Sequence, residues 1–151
     1  MKLGWRAAWK GLHQMSVTDN QDMFESAFWH FTGAIRKLAS NSEQQCPNDA
    51  SFETPWEMRE NYFAGLAASL GAQAKPFNDQ QLLALDALGE LLRKLPIEAI
   101  SPPNLPPGTS LGCSIAMGHP SWIAVRSHAA NIICLLDPLI RKNRAYFERN
   151  D

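Results

Sequence analysis

The chain carries no Gly-rich phosphate loop, no GxGxxG, no HExxH and no Glu-x-x-His pair. Each absence removes a class: nucleotide binding on a Gly-rich cradle, zinc peptidase chemistry and di-iron bundles. Cysteine is scarce. Cys46, Cys113 and Cys134 are an odd number with no CxxC pair, which points away from a disulfide framework or structural zinc and toward a reducing compartment, hence the cytoplasm. No apolar run reaches the roughly 18 residues of a membrane span. The Met-Lys start lacks the apolar core and small-residue cleavage site of a secretory leader. Net charge is only −1, so no global field draws the protein to nucleic acid or acidic lipid.

The composition is that of an ordinary globular chain, 45% hydrophobic and 19% charged, outside the regime of low hydrophobicity and high charge that gives disorder. A length of 151 residues fits one domain, and we read residues 1–151 as a single helical domain. Charge is uneven along it. Lys2, Arg6 and Lys10 make the first 15 residues +3, and Arg141, Lys142, Arg144 and Arg149 against Glu148 and Asp151 make the last 14 +2, leaving 16–137 at −6. Basic ends on an acidic body either form a binding footprint or neutralise the body, within a chain or across a homodimer.

Residues 1–15 predict an amphipathic helix with Trp5, Ala8, Trp9, Leu12 and Met15 on one face and cationic flanks. It suits either a membrane-surface helix or a terminal helix packed on its own domain. Thr18 or Asp19 starts a second helix to about Ser40 with a stripe of Phe24, Phe28, Phe31, Ile35 and Leu38. Residues 41–53 read as a loop. Thr54-Pro55-Trp56-Glu57 is a helix start with a capping box, followed by Trp56, Tyr62, Phe63, Leu66 and Leu70 as the inward face and Gly71 as the stop. Asn78 caps a leucine-striped helix ended by Pro96, with Leu83 on its outer side. Residues 101–112, with four prolines, read as a stiff crossover loop, and 110–118 fit either helix or strand. A last long helix from Pro120 presents Trp122, Val125, Ala129, Ile132, Leu135 and Leu136 inward, with Ile123 and Ile133 making it apolar nearly all round. Asp137-Pro138 breaks it before a basic helix from 138 to about 149. The expected fold is all-α: a compact bundle of five or six helices with a proline-rich crossover.

Two histidines carry what chemistry can be read. His30 lies opposite Phe28 among Ser26, Gly33, Ala34 and Lys37. An exposed histidine beside small residues resembles the His-containing phosphotransfer domains. Their motif has lysine three and glycine four positions after the histidine, where this chain has Gly33 and Ala34, so the motif is not matched. His128 falls between Val125 and Ile132. It is a candidate catalytic base or cofactor ligand with Arg126 or Trp122 beside it, or a core histidine bonded to a carbonyl. No second ligand or haem-pocket pattern supports a globin. Arg126 and His128 stand two apart, so they do not share a helix face as an arginine–histidine ribonuclease pair would. His13 and His119 read as surface and cap residues.

The expectation is therefore a protein that binds another protein: an immunity protein, antitoxin-like neutraliser, chaperone or adaptor. Its contact residues are Trp5, Trp9, Leu83 and Leu105, with no cofactor and no metal. The alternatives are an enzyme or cofactor binder with a pocket at His128, with His30 as a further catalytic candidate, and a nucleic-acid or membrane-surface binder through the basic termini.

Overall fold

The computed structural model describes residues 17–48, 52–73, 75–106 and 108–150. They hold seven α-helices, one 3-10 turn and no strand. The fold is all-α, with more helices than the five or six expected. The helix expected over 1–15, with Trp5 and Trp9, lies outside the described residues.

Helix α1 spans Val17–Ala39 and buries the predicted stripe of Phe24, Phe28, Phe31, Ile35 and Leu38, spaced alternately four and three residues apart. The aromatic rings interlock. Phe24 stacks on Phe28 at 5.5 Å, and Phe31 meets Tyr62 at 5.5 Å. Helix α2, Ser42–Gln45, falls inside the stretch read as loop. Its signal is Asn41…Gln44, a capping box: Asn41 Oδ1 accepts from the Gln44 amide at 2.8 Å, and Gln44 Oε1 from the Asn41 amide at 3.3 Å. The buried Gln45 then donates to the Lys37 and Leu38 carbonyls at 3.0 and 3.3 Å, satisfying the open end of α1.

Helix α3, Pro55–Ala72, starts at the Thr54–Glu57 box as predicted. Its inward face is different from the expected one. Pro55, Met58, Tyr62 and Ser69 are buried, whereas Trp56 is 54% and Leu70 41% exposed. The register is set by Gly65. A Cβ there would stand 2.8 Å from Phe31 Cδ1 and 3.0 Å from Phe31 Cα, so only glycine lets α3 lie this close to α1. With Tyr62 turned inward, Trp56 lies about 120° round the helix from it. Gly71 does not stop the helix, which continues to Ala72 before the extended Gln73.

Helix α4, Asp79–Arg93, has the Asn78–Gln81 capping box and buries Leu85, Leu88 and Leu92. Tyr62 donates to the Leu85 carbonyl at 2.6 Å and ties α3 to α4. Burial, and then the Asp86 carboxylate, push the Tyr62 hydroxyl well above its ordinary pKa, with Arg93 opposing. The 3-10 turn Ile97–Ala99 leads to helix α5, Ser110–Met117, so the stretch open to helix or strand is helix. The expected loop over 101–112 thus ends at Thr109, which caps α5: its Oγ1 accepts from the Gly112 amide at 3.1 Å and donates to the Pro106 carbonyl at 2.7 Å. Any Cβ at residue 112 would meet the Pro106 oxygen at 2.1 Å.

Packing of α2 on α5 brings Cys46 and Cys113 together as a disulfide across a separation of 67 residues. This corrects the reading against a disulfide. Linear spacing carries no trace of a contact made only when two short helices meet, and the cysteine count no longer argues for a reducing compartment. Cys134 is free and exposed.

Helix α6, Ser121–Leu135, buries Trp122, Val125, Ala129 and Ile132. His119 acts as expected at its start, its Nδ1 accepting from the Ser121 amide at 3.2 Å. The helix is one-sided, not apolar all round, with Ile123 66% exposed, because α1 and α4 cover only one flank. At Leu136 the chain bends by 64° into α7, Asp137–Arg149, with Pro138 in its first turn. Asn143 of α7 is buried. It donates to the Glu25 carbonyl at 2.9 Å and to the buried Glu25 carboxylate, which also accepts from Gln21 at 2.7 Å. Helix α1 thus sits between α3 on one side and α6 and α7 on the other, with α4 beyond α6. Among the described residues no single helix is long and apolar enough to cross a membrane.

Candidate binding groove between α1 and α3

Helices α1 and α3 run antiparallel. Asp22 and Met23 near the start of α1 share a cavity wall with Gly71 and Ala72 at the end of α3. Lys37 near the end of α1 shares one with Glu53 and Asn61 at the start of α3. The tight Phe31–Gly65 contact seals the inner side of this pair. On the outer side the two helices present small residues, so a trough is left between them. It consists of two adjoining open stretches, of about 640 and 690 Å³, which share Ala27, His30 and Ala68. The floor is Ala27, Gly33, Ala34, Ala64, Gly65 and Ala68. Two large apolar side chains stand at the rim about half exposed: Met23 at 56%, and Trp29 at 52% with its ring edge-on to Phe147 of α7 at 5.4 Å.

Polar groups are few and separate. His30, Lys37, Asn61 and Glu53 line the first stretch, and no hydrogen bond or ion pair joins any two of them. Lys37 instead donates to the Gln44 carbonyl at 3.3 Å. Glu53 Oε2 is buried with no hydrogen-bond partner among the described residues. No group of three or more His, Cys, Asp or Glu able to hold a metal occurs among the described residues. General acid–base or nucleophilic catalysis requires a base within hydrogen-bond reach of its partner. In this structure no two of the groove's polar side chains stand within hydrogen-bond reach of each other, and most of its lining is alanine and glycine.

His30 is where the helix spacing places it, exposed on α1, and it lies at the junction of the two stretches. Its neighbours Ser26, Gly33, Ala34 and Lys37 were legible because they share one helix face. Glu53, Asn61, Ala64 and Ala68 were not, since they come from another segment. His128 is not in a core. It is exposed on α6, about 100° round from the buried Ala129, with Nδ1 3.0 Å from the Ala124 carbonyl, and it lines neither stretch of the groove.

The residues expected beside His128 have structural roles. Trp122 is fully buried and donates Nε1–H to the Ala99 carbonyl at 2.9 Å. Half-buried Arg126 donates to Gln45 Oε1 at 3.1 Å and to the Met117 carbonyl, and burial lowers its pKa from the ordinary arginine value. Leu83 is 72% exposed on α4 and lines neither stretch of the groove, and Leu105 is half-buried. Trp5 and Trp9 lie outside the described residues. On the basic C-terminal helix, Arg141 pairs with Asp137 at 2.8 Å.

No family model, curated protein or solved structure matches this chain.

Proposed function

We propose that this chain acts by binding another protein, and that the outer α1/α3 groove receives an amphipathic helix of that partner. The observation that carries the reading is the groove itself: an open trough floored by alanine and glycine, with Met23 and Trp29 half exposed at its rim. Helix-in-groove recognition needs this shape, since small residues on the receptor leave room for large side chains at i, i+3, i+4 and i+7 of the ligand helix. Exposed apolar residues bordering a concavity mark interaction surfaces more often than scattered ones do. Asp22 at one end favours a cationic residue on the ligand helix, whereas at the other end Glu53 is accompanied by Lys37. An immunity, neutraliser, chaperone or adaptor role is compatible with this mode.

The test places a photoreactive residue at Ala64 or Ala68 in the groove, or at His128 on the far helix, in cells of the source. The groove positions should give one discrete protein adduct and His128 none. Excess unlabelled wild-type chain should abolish the adduct, and excess Ala68→Arg chain should leave it. No adduct from the groove, or the same adducts from all three positions, would refute the reading.

A further inference from the structure

We propose that a second, smaller pocket, between α1 and α7, binds a phosphate group through Arg36 and Arg144. Trp29 borders both this pocket and the α1/α3 groove, but phosphate binding here requires nothing of the groove.

Trp29, Thr32 and Arg36 stand at i, i+3 and i+7 on α1, and Ile140, Asn143 and Arg144 at i, i+3 and i+4 on α7. Each trio therefore shares one helix face, and the two faces meet across a space of about 260 Å³. At about 30 Å³ for each water-sized group, that holds the five atoms of a phosphate and a few more.

Arg36 and Arg144 are the charged residues of this wall among the described residues, and neither forms an ion pair there. The acids around them do not neutralise them. The buried Glu25 carboxylate does not line the pocket and accepts from Gln21 and Asn143. Asp137 pairs with Arg141, and Glu148, one turn past Arg144, makes no ion pair with it.

The inner wall is fixed. Thr32 and Asn143 are 2% and 3% exposed. Thr32 Oγ1 donates to the Trp29 carbonyl at 2.9 Å, and Asn143 Nδ2 donates to the main-chain and side-chain oxygens of Glu25. Asn143 Oδ1 accepts no hydrogen bond among the described residues, so it is left to accept from a ligand hydroxyl.

The donor set selects the anion. A carboxylate has two oxygens, which one guanidinium fork satisfies. Two forks bordering one pocket, with no acid between them, match a dianion with three terminal oxygens, which is a phosphate group. Free phosphate and a small phosphate ester share that group. In an ester, the remainder would lie against Trp29 and Ile140, the apolar part of the wall.

NMR titration of the full chain with inorganic phosphate, phenyl phosphate and acetate, at constant ionic strength, tests the site. Inorganic phosphate should bind saturably at one site, shifting the Asn143 side-chain amide and the Trp29 indole. Arg36→Gln and Arg144→Gln should each weaken it at least about tenfold, as loss of a charge-assisted fork does. Both arginines are exposed, so the variants should keep the wild-type melting temperature within a degree or two, as for ordinary surface changes. Lys142→Gln removes the same charge from α7 outside the pocket and should change the affinity by less than about twofold, as a screened surface charge does. Acetate should bind at least about tenfold more weakly than phosphate. Tighter binding of phenyl phosphate, lost in Trp29→Ala, would assign the site to an ester, and equal binding would assign it to phosphate itself.

Four results would overturn the proposal: no saturable phosphate binding, affinity unchanged by both arginine variants, equal weakening by Lys142→Gln, or acetate bound as tightly as phosphate.

Discussion

The two flanks of α1 are built from opposite materials. Toward α6 and α7, polar groups that the core must contain are matched: Gln45 links the last carbonyls of α1 to Arg126, Arg126 reaches the end of α5, and Asn143 answers Glu25. Toward α3, the inner edge is closed by glycine against phenylalanine, and the outer edge is left as a trough of small residues with half-exposed Met23 at its rim. The matched polar flank and the inner α1/α3 edge together form the packed interior, and only the outer trough lies outside it. Residues of the packed faces should therefore move stability, and exposed residues of the trough should move binding.

The largest expected effect is on the closed flank. Replacing both Cys46 and Cys113 with alanine should lower stability by about 2–4 kcal/mol, since the disulfide closes a long loop and both residues are buried. Denaturant titration measures this, and thiol counting should give one free thiol, Cys134, in the native chain. Next is Gly65→Ala. Pushing a Cβ into Phe31 costs about 1–3 kcal/mol in displaced packing, and the gain of about 1 kcal/mol in helix propensity offsets only part of it. Its melting temperature should fall, and groove binding should weaken as α3 moves outward.

Tyr62→Phe should cost about 1 kcal/mol by removing the buried bond to the Leu85 carbonyl, a mid-helix acceptor that keeps its helical partner. Its pH dependence is the sharper reading. The folded chain holds the Tyr62 hydroxyl protonated more firmly than the unfolded chain does. That stability is intact below the ordinary tyrosine value of about 10 and is lost as pH rises above it. The alkaline loss should be shallower in the Phe variant.

The smallest effect runs the other way. The Ser69 hydroxyl is fully buried with no partner among the described residues, so Ser69→Ala should gain up to about 1 kcal/mol. A loss of stability instead would mean that the hydroxyl has a partner.

Local signals in the sequence located the helices well and the surfaces poorly. Thr54 and Asn78 with their reciprocal Glu57 and Gln81 marked two helix starts, and the α1 stripe gave its buried face, because caps and 3.6-residue periodicity act within one segment. The same logic misplaced Trp56 and Leu70. An aromatic or leucine on a helix predicts burial only if that side meets a neighbour, and the Gly65–Phe31 contact turned them outward. His128 failed for the same reason, one position off the face that α1 and α4 cover. The groove was half visible: the small residues around His30 could be seen on α1, but alanine and glycine on α3 have no periodic signature and become a surface only beside another helix.

The most direct test of this separation uses one variant, Ala68→Arg, on an exposed groove position. Its unfolding free energy and its photocross-link from position 64 are measured on the same preparation. The account predicts stability within about 0.5 kcal/mol of wild type, as for an ordinary surface substitution, and loss of the partner adduct. An adduct that persists in the folded variant would contradict the claim that this flank is the binding surface.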